Sequence, residues 1–279
     1  MPAPDPNAPA ELPGELPGEL TGGFPALPVP PAALVTGGAR RIGRALVLAL
    51  AEAGFAVAIH HHRSGAEADA LVARIAQAGG KAVALAADLA DEAAVTTLLP
   101  QAATALGPIG VLVNNASIFE NDTVASVSRE GWDAHMAINL RAPFVLIQEF
   151  AARLPPDAGG AVINLLDERI WNLTPYFVSY TVSKTALWTL TRTMALALAP
   201  RIRVNAIGPG PALPNVHQTS EQFLARCRGL PLRRGTSPGE IAAALRFILA
   251  APAMTGQMIA LDGGEHLGWR QPGQVALLE

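Results

Sequence analysis

The sequence holds a single cysteine, Cys227, so no disulfide can form within the chain, and a reducing, cytoplasmic setting is expected. Charge is scarce and nearly balanced, with 20 Lys and Arg against 23 Asp and Glu, a net −3 at pH 7. That excludes the basic footprint of a nucleic-acid binder. No apolar run is long enough to span a bilayer, so no membrane association is expected. The first 31 residues contain no Lys or Arg, which argues against a secretory or transit leader. They are proline-rich from Pro2 to Pro31 and repeat Glu-Leu-Pro-Gly at 11–14 and 15–18. With few large apolar residues to offset ordering entropy, residues 1–31 are expected to form a disordered tail.

What is present is ample apolar material: 50% of the 279 residues are hydrophobic, enough for one large α/β domain over 32–279. Short apolar runs at 33–36, 56–60, 82–87, 111–114, 161–165, 203–207 and 257–261 read as strands. Between them, helix-type spacing covers 44–53, 66–78, 91–106, 129–154, 179–199 and 238–249. Strands that alternate with helices imply parallel crossovers, hence a doubly wound sheet of about seven strands with helices on both faces. The strands lack strict polar alternation, as expected where both faces are buried. Ligands of such sheets lie at the carboxyl ends of the strands.

The run Thr36-Gly37-Gly38-Ala39-Arg40-Arg41-Ile42-Gly43 joins the first strand to the first helix. Its glycines permit a tight turn, and a helix N-terminus offers free N–H groups to a pyrophosphate. The second strand ends in His60-His61-His62-Arg63-Ser64, with no acid to bind a ribose 2′-hydroxyl. A guanidinium, a hydroxyl and imidazoles suit a 2′-phosphate instead, so the expected cofactor is NADPH, held by His60, His62, Arg63 and Ser64. Successive strand residues face opposite ways, so His60 and His61 make a poor metal pair, and no metal is expected. Asp88 and Leu89 follow the third strand, and Asn115, Ala116 and Ser117 the fourth, where adenine and ribose would lie.

Tyr180 and Lys184 fall at i and i+4 on one helical face. A tyrosine is a poor acid near its ordinary pKa of about 10, and a neighbouring ammonium favours its phenolate. With Thr-Gly-x-x-x-x-x-Gly, Asn-Asn-Ala and Pro209-Gly210 in the same order, the chain resembles the short-chain dehydrogenase/reductase family from about residue 32 to 269. The resemblance implies a single Rossmann-type domain and a homotetramer. It also implies cofactor contacts at Gly37, Arg41, Ile42, Gly43, Tyr180, Lys184, Pro209 and Gly210, and a relay water held by Asn139.

Within the family the chain is most similar to the pteridine and dihydromonapterin reductases. Arg41 replaces a glycine common elsewhere and is expected near both cofactor phosphate and substrate. Ser117 is expected beside the substrate, and Phe119 matches an aromatic that stacks on the pterin ring. Asp167 stands thirteen positions before Tyr180, where most members of the family carry a catalytic serine. A serine can donate to a carbonyl oxygen as it becomes negative. An ionised carboxylate only accepts, which suits the N–H donors of a pterin and repels an alkoxide. Capping, or pairing with Arg169, is the structural alternative for Asp167. The expected reaction is therefore hydride transfer to a C=N bond of a small pterin-type substrate, with catalytic roles for Asp167, Tyr180, Lys184 and Asn139. An oxoacyl or ketone reductase and a non-catalytic NADPH-binding regulator are the alternatives. The stretch 208–214 lacks a serine that the pteridine reductases use, and 265–270 differs from their ending.

Overall fold

In the computed structural model, residues 27–214 and 218–268 are described. β1 (Ala32–Val35) leads into α1 (Arg41–Glu52), β2 (Ala56–His61) into α2 (Gly65–Gln77), and β3 (Ala82–Ala86) into α3 (Glu92–Leu106). β4 (Val111–Asn114) is followed by α4 (Arg129–Met136), a π turn over Ala137–Arg141 and α5 (Ala142–Arg153). β5 (Gly160–Leu165) precedes a 3-10 turn at Glu168–Ile170 and then α6 (Val178–Leu198). β6 (Ile202–Pro209), α7 (Ser220–Arg228), α8 (Pro238–Ala250), β7 (Met258–Leu261) and a 3-10 turn at Glu265–Leu267 complete the order.

The seven strands form one parallel sheet in the order β3-β2-β1-β4-β5-β6-β7. Growth of the sheet reverses after β3, because β4 returns to the far side of β1. The carboxyl ends of β1 and β4 therefore flank a crevice with no helix above it, the usual ligand position in such sheets. Period-two alternation sends Ala33, Val35, Val111 and Val113 to the face covered by α1, α2 and α8. Ala32, Leu34 and Leu112 go to the opposite face, under α3, α5 and α6. Fully buried Leu46, Leu50 and Ile59 on one side, and Leu98, Leu146 and Phe150 on the other, each contribute about 1.5–3 kcal/mol. Among the described residues, no helix is long and apolar enough to cross a membrane.

Three differences from expectation have physical causes. The helix expected over 129–154 runs without interruption to Arg153 but widens to a π turn at Ala137–Arg141. Pro143, in the first turn of α5, has no N–H to give the Asn139 carbonyl in the α pattern. α7 is absent from the sequence reading; it is short, and a capping box between Thr219 and Gln222 starts it rather than an apolar stripe. Of the expected tail, 1–26 lie outside the described residues, while 27–31 run past the amino ends of the strands. There Gly159 N–H donates to the Pro28 carbonyl and Ala56 N–H to that of Pro31. Gly110 packs so closely beneath Pro30 that a Cβ would stand 2.2 Å from its carbonyl oxygen.

Candidate active site

A cleft of about 790 Å³ opens at the carboxyl ends of the strands. Its first wall is the glycine turn. Gly37 adopts φ +59, which glycine takes without strain, and a Cβ on Gly43 would lie 2.1 Å from the Gly37 carbonyl oxygen. Asn115 holds the turn from β4, its amide donating to the carbonyls of Thr36 at 2.8 Å and Gly37 at 3.2 Å. The Thr36 hydroxyl in return accepts the N–H groups of Asn115 and Ala116. α1 then begins without a side-chain cap and with no acid in its first turn. Its unpaired N–H groups and positive end face the cleft beside Arg40, Arg41 and Ile42, an arrangement that fits the phosphates of a dinucleotide. Arg41 itself sits at φ +51, the left-handed region that favours glycine, and its guanidinium donates to the Pro214 carbonyl.

The structure corrects the expected role of His60. Its ring is buried, Nδ1 accepts from Gly37 N–H at 3.1 Å, and Nε2 donates to the Ala87 carbonyl at 3.1 Å. Burial drives its pKa down to about 4, so the ring is neutral and braces the glycine turn rather than binding a phosphate. His62, Arg63 and Ser64 do line the cleft, with Arg63 exposed and the Ser64 hydroxyl not used to cap α2. His62 leans toward Asp88 at 3.8 Å, and Asp88 and Leu89 border the same end.

The opposite wall carries the chemistry. Tyr180, in the first turn of α6, donates its hydroxyl to Asp167 Oδ2 at 2.8 Å, while Asp167 Oδ1 caps the 3-10 turn by accepting from Arg169 N–H at 2.9 Å. Capping and contact with Tyr180 are thus both true of Asp167, one on each oxygen. Lys184 is buried, and its ammonium donates to the Leu165 carbonyl at 2.7 Å, 5.8 Å from the Tyr180 ring centre. In this arrangement Lys184 does not set the net direction of the Tyr180 pKa. Burial, then the Asp167 carboxylate, push the phenol well above its ordinary value, and burial lowers Lys184 to about 8. Tyr180 is held as a neutral O–H.

Phe119 lines the cleft beside Tyr180, with ring centres 4.7 Å apart and nearly perpendicular. Its rear face stacks on Phe177 at 4.3 Å, and the Arg169 guanidinium covers the far side of Phe177. Ser117 reaches the cleft, whereas Asn139 is fully buried behind it. The Asn139 carboxamide accepts from Ile118 N–H and Ser117, and donates to the Ile118 carbonyl and Ser183. Its side chain therefore pins the loop after β4, and only its backbone carbonyl remains for a relay water. Gly210, Pro211 and Ala212 close the floor, with Gly210 N–H tied to the Leu261 carbonyl. Pro209 ends β6 just behind them.

Several contributors escaped the sequence reading. Glu168 is buried at the cleft edge, where burial and the charges of Asp167 and Glu265 raise its carboxyl to about 9. Arg226 of α7 lies 2.9 Å from Glu265 and 3.7 Å from Glu168. Behind the sheet, Asn114 donates to Asn164 at 2.8 Å and Asn164 to Thr191 at 2.8 Å, locking β4, β5 and α6 together. Asn114 was visible as the first residue of Asn-Asn-Ala, but no local motif signals Glu168, Arg226 or the Asn164 link, because those partners lie dozens of residues apart.

The family model described as enoyl-(acyl carrier protein) reductase matches residues 37–266, which spans the glycine turn, Tyr180, Lys184 and Gly210. The chain belongs to the short-chain dehydrogenase/reductase family. This short-chain dehydrogenase/reductase is similar to the 3-oxoacyl-(acyl-carrier-protein) reductase of Synechocystis sp., with 33% identity over 238 residues, 83% of this chain and 95% of that protein. Among solved structures it is similar to FolM alternative dihydrofolate reductase 1 from Brucella canis, complexed with NADP. That pair shares 49% identity and a TM-score of 0.84, over 88% of this chain and 97% of the other. A blue fluorescent protein from a metagenomic library, in complex with NADPH, shares 35% identity and a TM-score of 0.77, over 84% and 96% of the two chains.

Proposed function

We propose that this oxidoreductase uses NADPH to reduce a C=N bond of a pterin-type substrate. The uncapped start of α1 and the Gly37 turn would hold the pyrophosphate, and Arg63 and Ser64 the 2′-phosphate. The relatives complexed with NADP and NADPH support that cofactor. Bound NADPH supplies the hydride that the substrate carbon takes up. The chain's own residues must then supply one proton to the ring nitrogen and exclude competing geometries.

The observation that carries the reading is the hydrogen bond from Tyr180 to Asp167 at the cleft wall beside Phe119. A carboxylate in that place accepts N–H donors and opposes negative charge on a nearby oxygen. A pterin brings such donors to Asp167, which frees the Tyr180 O–H to turn to the ring nitrogen and donate. Lys184, behind Tyr180, stabilises the phenolate left behind. The Asn139 carbonyl, denied an α-pattern donor by Pro143, can hold the water that returns the proton. Phe119, backed by Phe177, offers a flat apolar face to a heterocycle. The similarity to a protein named as a dihydrofolate reductase supports the same reading.

A ketone or oxoacyl reductase is the second reading, favoured by the name of the Synechocystis relative. Asp167→Ser separates the two. Reduction of dihydropterins should fall at least about tenfold in kcat/KM, about 1.4 kcal/mol of transition-state stabilisation. Turnover of activated ketones should rise or hold, because a hydroxyl can donate where a carboxylate cannot. Unchanged pterin turnover would move the carbonyl reading ahead.

A further inference from the structure

α6 carries Tyr180 in its first turn, yet the helix has no cap of its own. Its N-cap position is Phe177, left-handed at φ 55, with no side-chain oxygen to accept an N–H. The missing acceptor arrives from a distant part of the chain. Asp122, in the loop after β4, accepts from Ser179 N–H through Oδ1 at 3.2 Å, the position an N-cap side chain serves. Its other oxygen accepts the Ser179 hydroxyl, and its backbone carbonyl accepts Phe177 N–H at 2.7 Å. The negative charge also meets the positive end of a 21-residue helix.

A third side chain closes the network. His135 of α4 lies 2.8 Å from Ser179 Oγ through Nδ1, and its Nε2 faces Glu120 N–H at 3.4 Å. Ser179 has one proton and gives it to Asp122, so Nδ1 of His135 is the protonated nitrogen, shared between Ser179 Oγ and the Gly131 carbonyl at 3.0 Å, and Nε2 is the acceptor. Ser179 and His135 are buried, and Asp122 is 9% exposed. The trio is therefore no hydrolytic site despite its composition: the serine proton points at the carboxylate, away from the imidazole, and substrate cannot reach the hydroxyl. Its contacts run to the machinery instead. Ser179 precedes Tyr180, the His135 ring meets the Tyr180 ring edge-on at 6.1 Å, and Phe177 is the stacking partner of Phe119.

We infer that Asp122, acting with Ser179 and His135, is a positioning group that caps α6 from outside and sets Tyr180 and the Phe119 face in register. The inference rests on the proposed role of Tyr180 as proton donor. A displacement of about 1 Å at a reacting group can cost on the order of a hundredfold in rate. The full chain has two tyrosines, so labelling with 13C at Cζ yields two signals, separated by Tyr176→Phe at an exposed site.

Asp122→Ala should shift or broaden the Tyr180 signal and lower kcat for dihydropterin reduction by tenfold or more, with KM and the NADPH Kd within about twofold. Asp122→Asn keeps an acceptor for Ser179 N–H and should restore most of the rate. If Asp122→Ala fails to fold, Ser179→Ala, which removes only the hydroxyl, serves in its place with a smaller loss in kcat. A variant with lowered Tm but an unmoved Tyr180 signal and full kcat would overturn the inference. Should the wild-type protein reduce no pterin, the substrate reading fails, and the Tyr180 signal alone decides the positioning role: a shift upholds it and constancy refutes it.

Discussion

At the scale of single residues, neighbours in sequence have parted company in function. His60 and Arg63 stand three positions apart, yet one braces the glycine turn from a buried strand end and the other is exposed at the cleft. On the proposed reading, the second faces the 2′-phosphate and discriminates between cofactors. Arg63→Ala should weaken NADPH binding by about 1.5–3 kcal/mol, the range for hydrogen bonds to a charged group, and leave NADH binding nearly unchanged. Calorimetric titration with both cofactors checks it, and equal losses would remove Arg63 from the 2′-phosphate site. The same separation of jobs marks Asp167, whose oxygens serve a backbone N–H and a phenol.

At the scale of elements, the cleft depends on segments that meet through buried charge. Glu168 after β5, Arg226 of α7 and Glu265 of the final 3-10 turn form one cluster, with Asp167 and Arg169 adding charge from the same turn. Burial first, then the negative neighbours, push Glu168 from 4.5 up to about 9. The folded state thus keeps a proton that the unfolded chain releases. This contribution to stability is complete below the unfolded value and lost as pH rises toward the folded one. The wild-type Tm should fall across that window, and Glu168→Gln, which cannot ionise, should fall less steeply. Identical slopes in thermal melts at several pH values would show that Glu168 is ionised in the folded state.

Such clusters also explain what the sequence could reveal. The strand–helix alternation, the glycine turn and the Tyr180–Lys184 pair depend on local spacing, and all were legible. The π widening at Ala137–Arg141 was not, since Pro143 falls where a proline also suits a helix start. The partners of Asp122, Glu168 and Asn164 were illegible because tertiary contacts alone select them.

At the scale of the whole molecule, a cofactor that bridges both halves of the sheet should stabilise the fold by mass action. NADPH at a hundred times its Kd adds about 2.7 kcal/mol. For a domain of this size that raises Tm by about 5–10 °C, and NADH at equal concentration should do much less. Indistinguishable melting curves with the two would count against NADPH selectivity. The strand order also bears on biosynthesis. β1 pairs with β2 on one flank and with β4 on the other, with Ala33 opposite both Val57 and Val111. A ribosome adding about 5–20 residues per second completes β2 about 2.5–10 s and β3 about 1–5 s before β4 begins. During that interval the nascent chain exposes one unsatisfied flank of β1, a template on which another strand could add. The half of the cleft with the glycine turn is thus made first, and the return of β4 covers that flank of β1 and passes the open edge outward to β4 until β5 pairs with it.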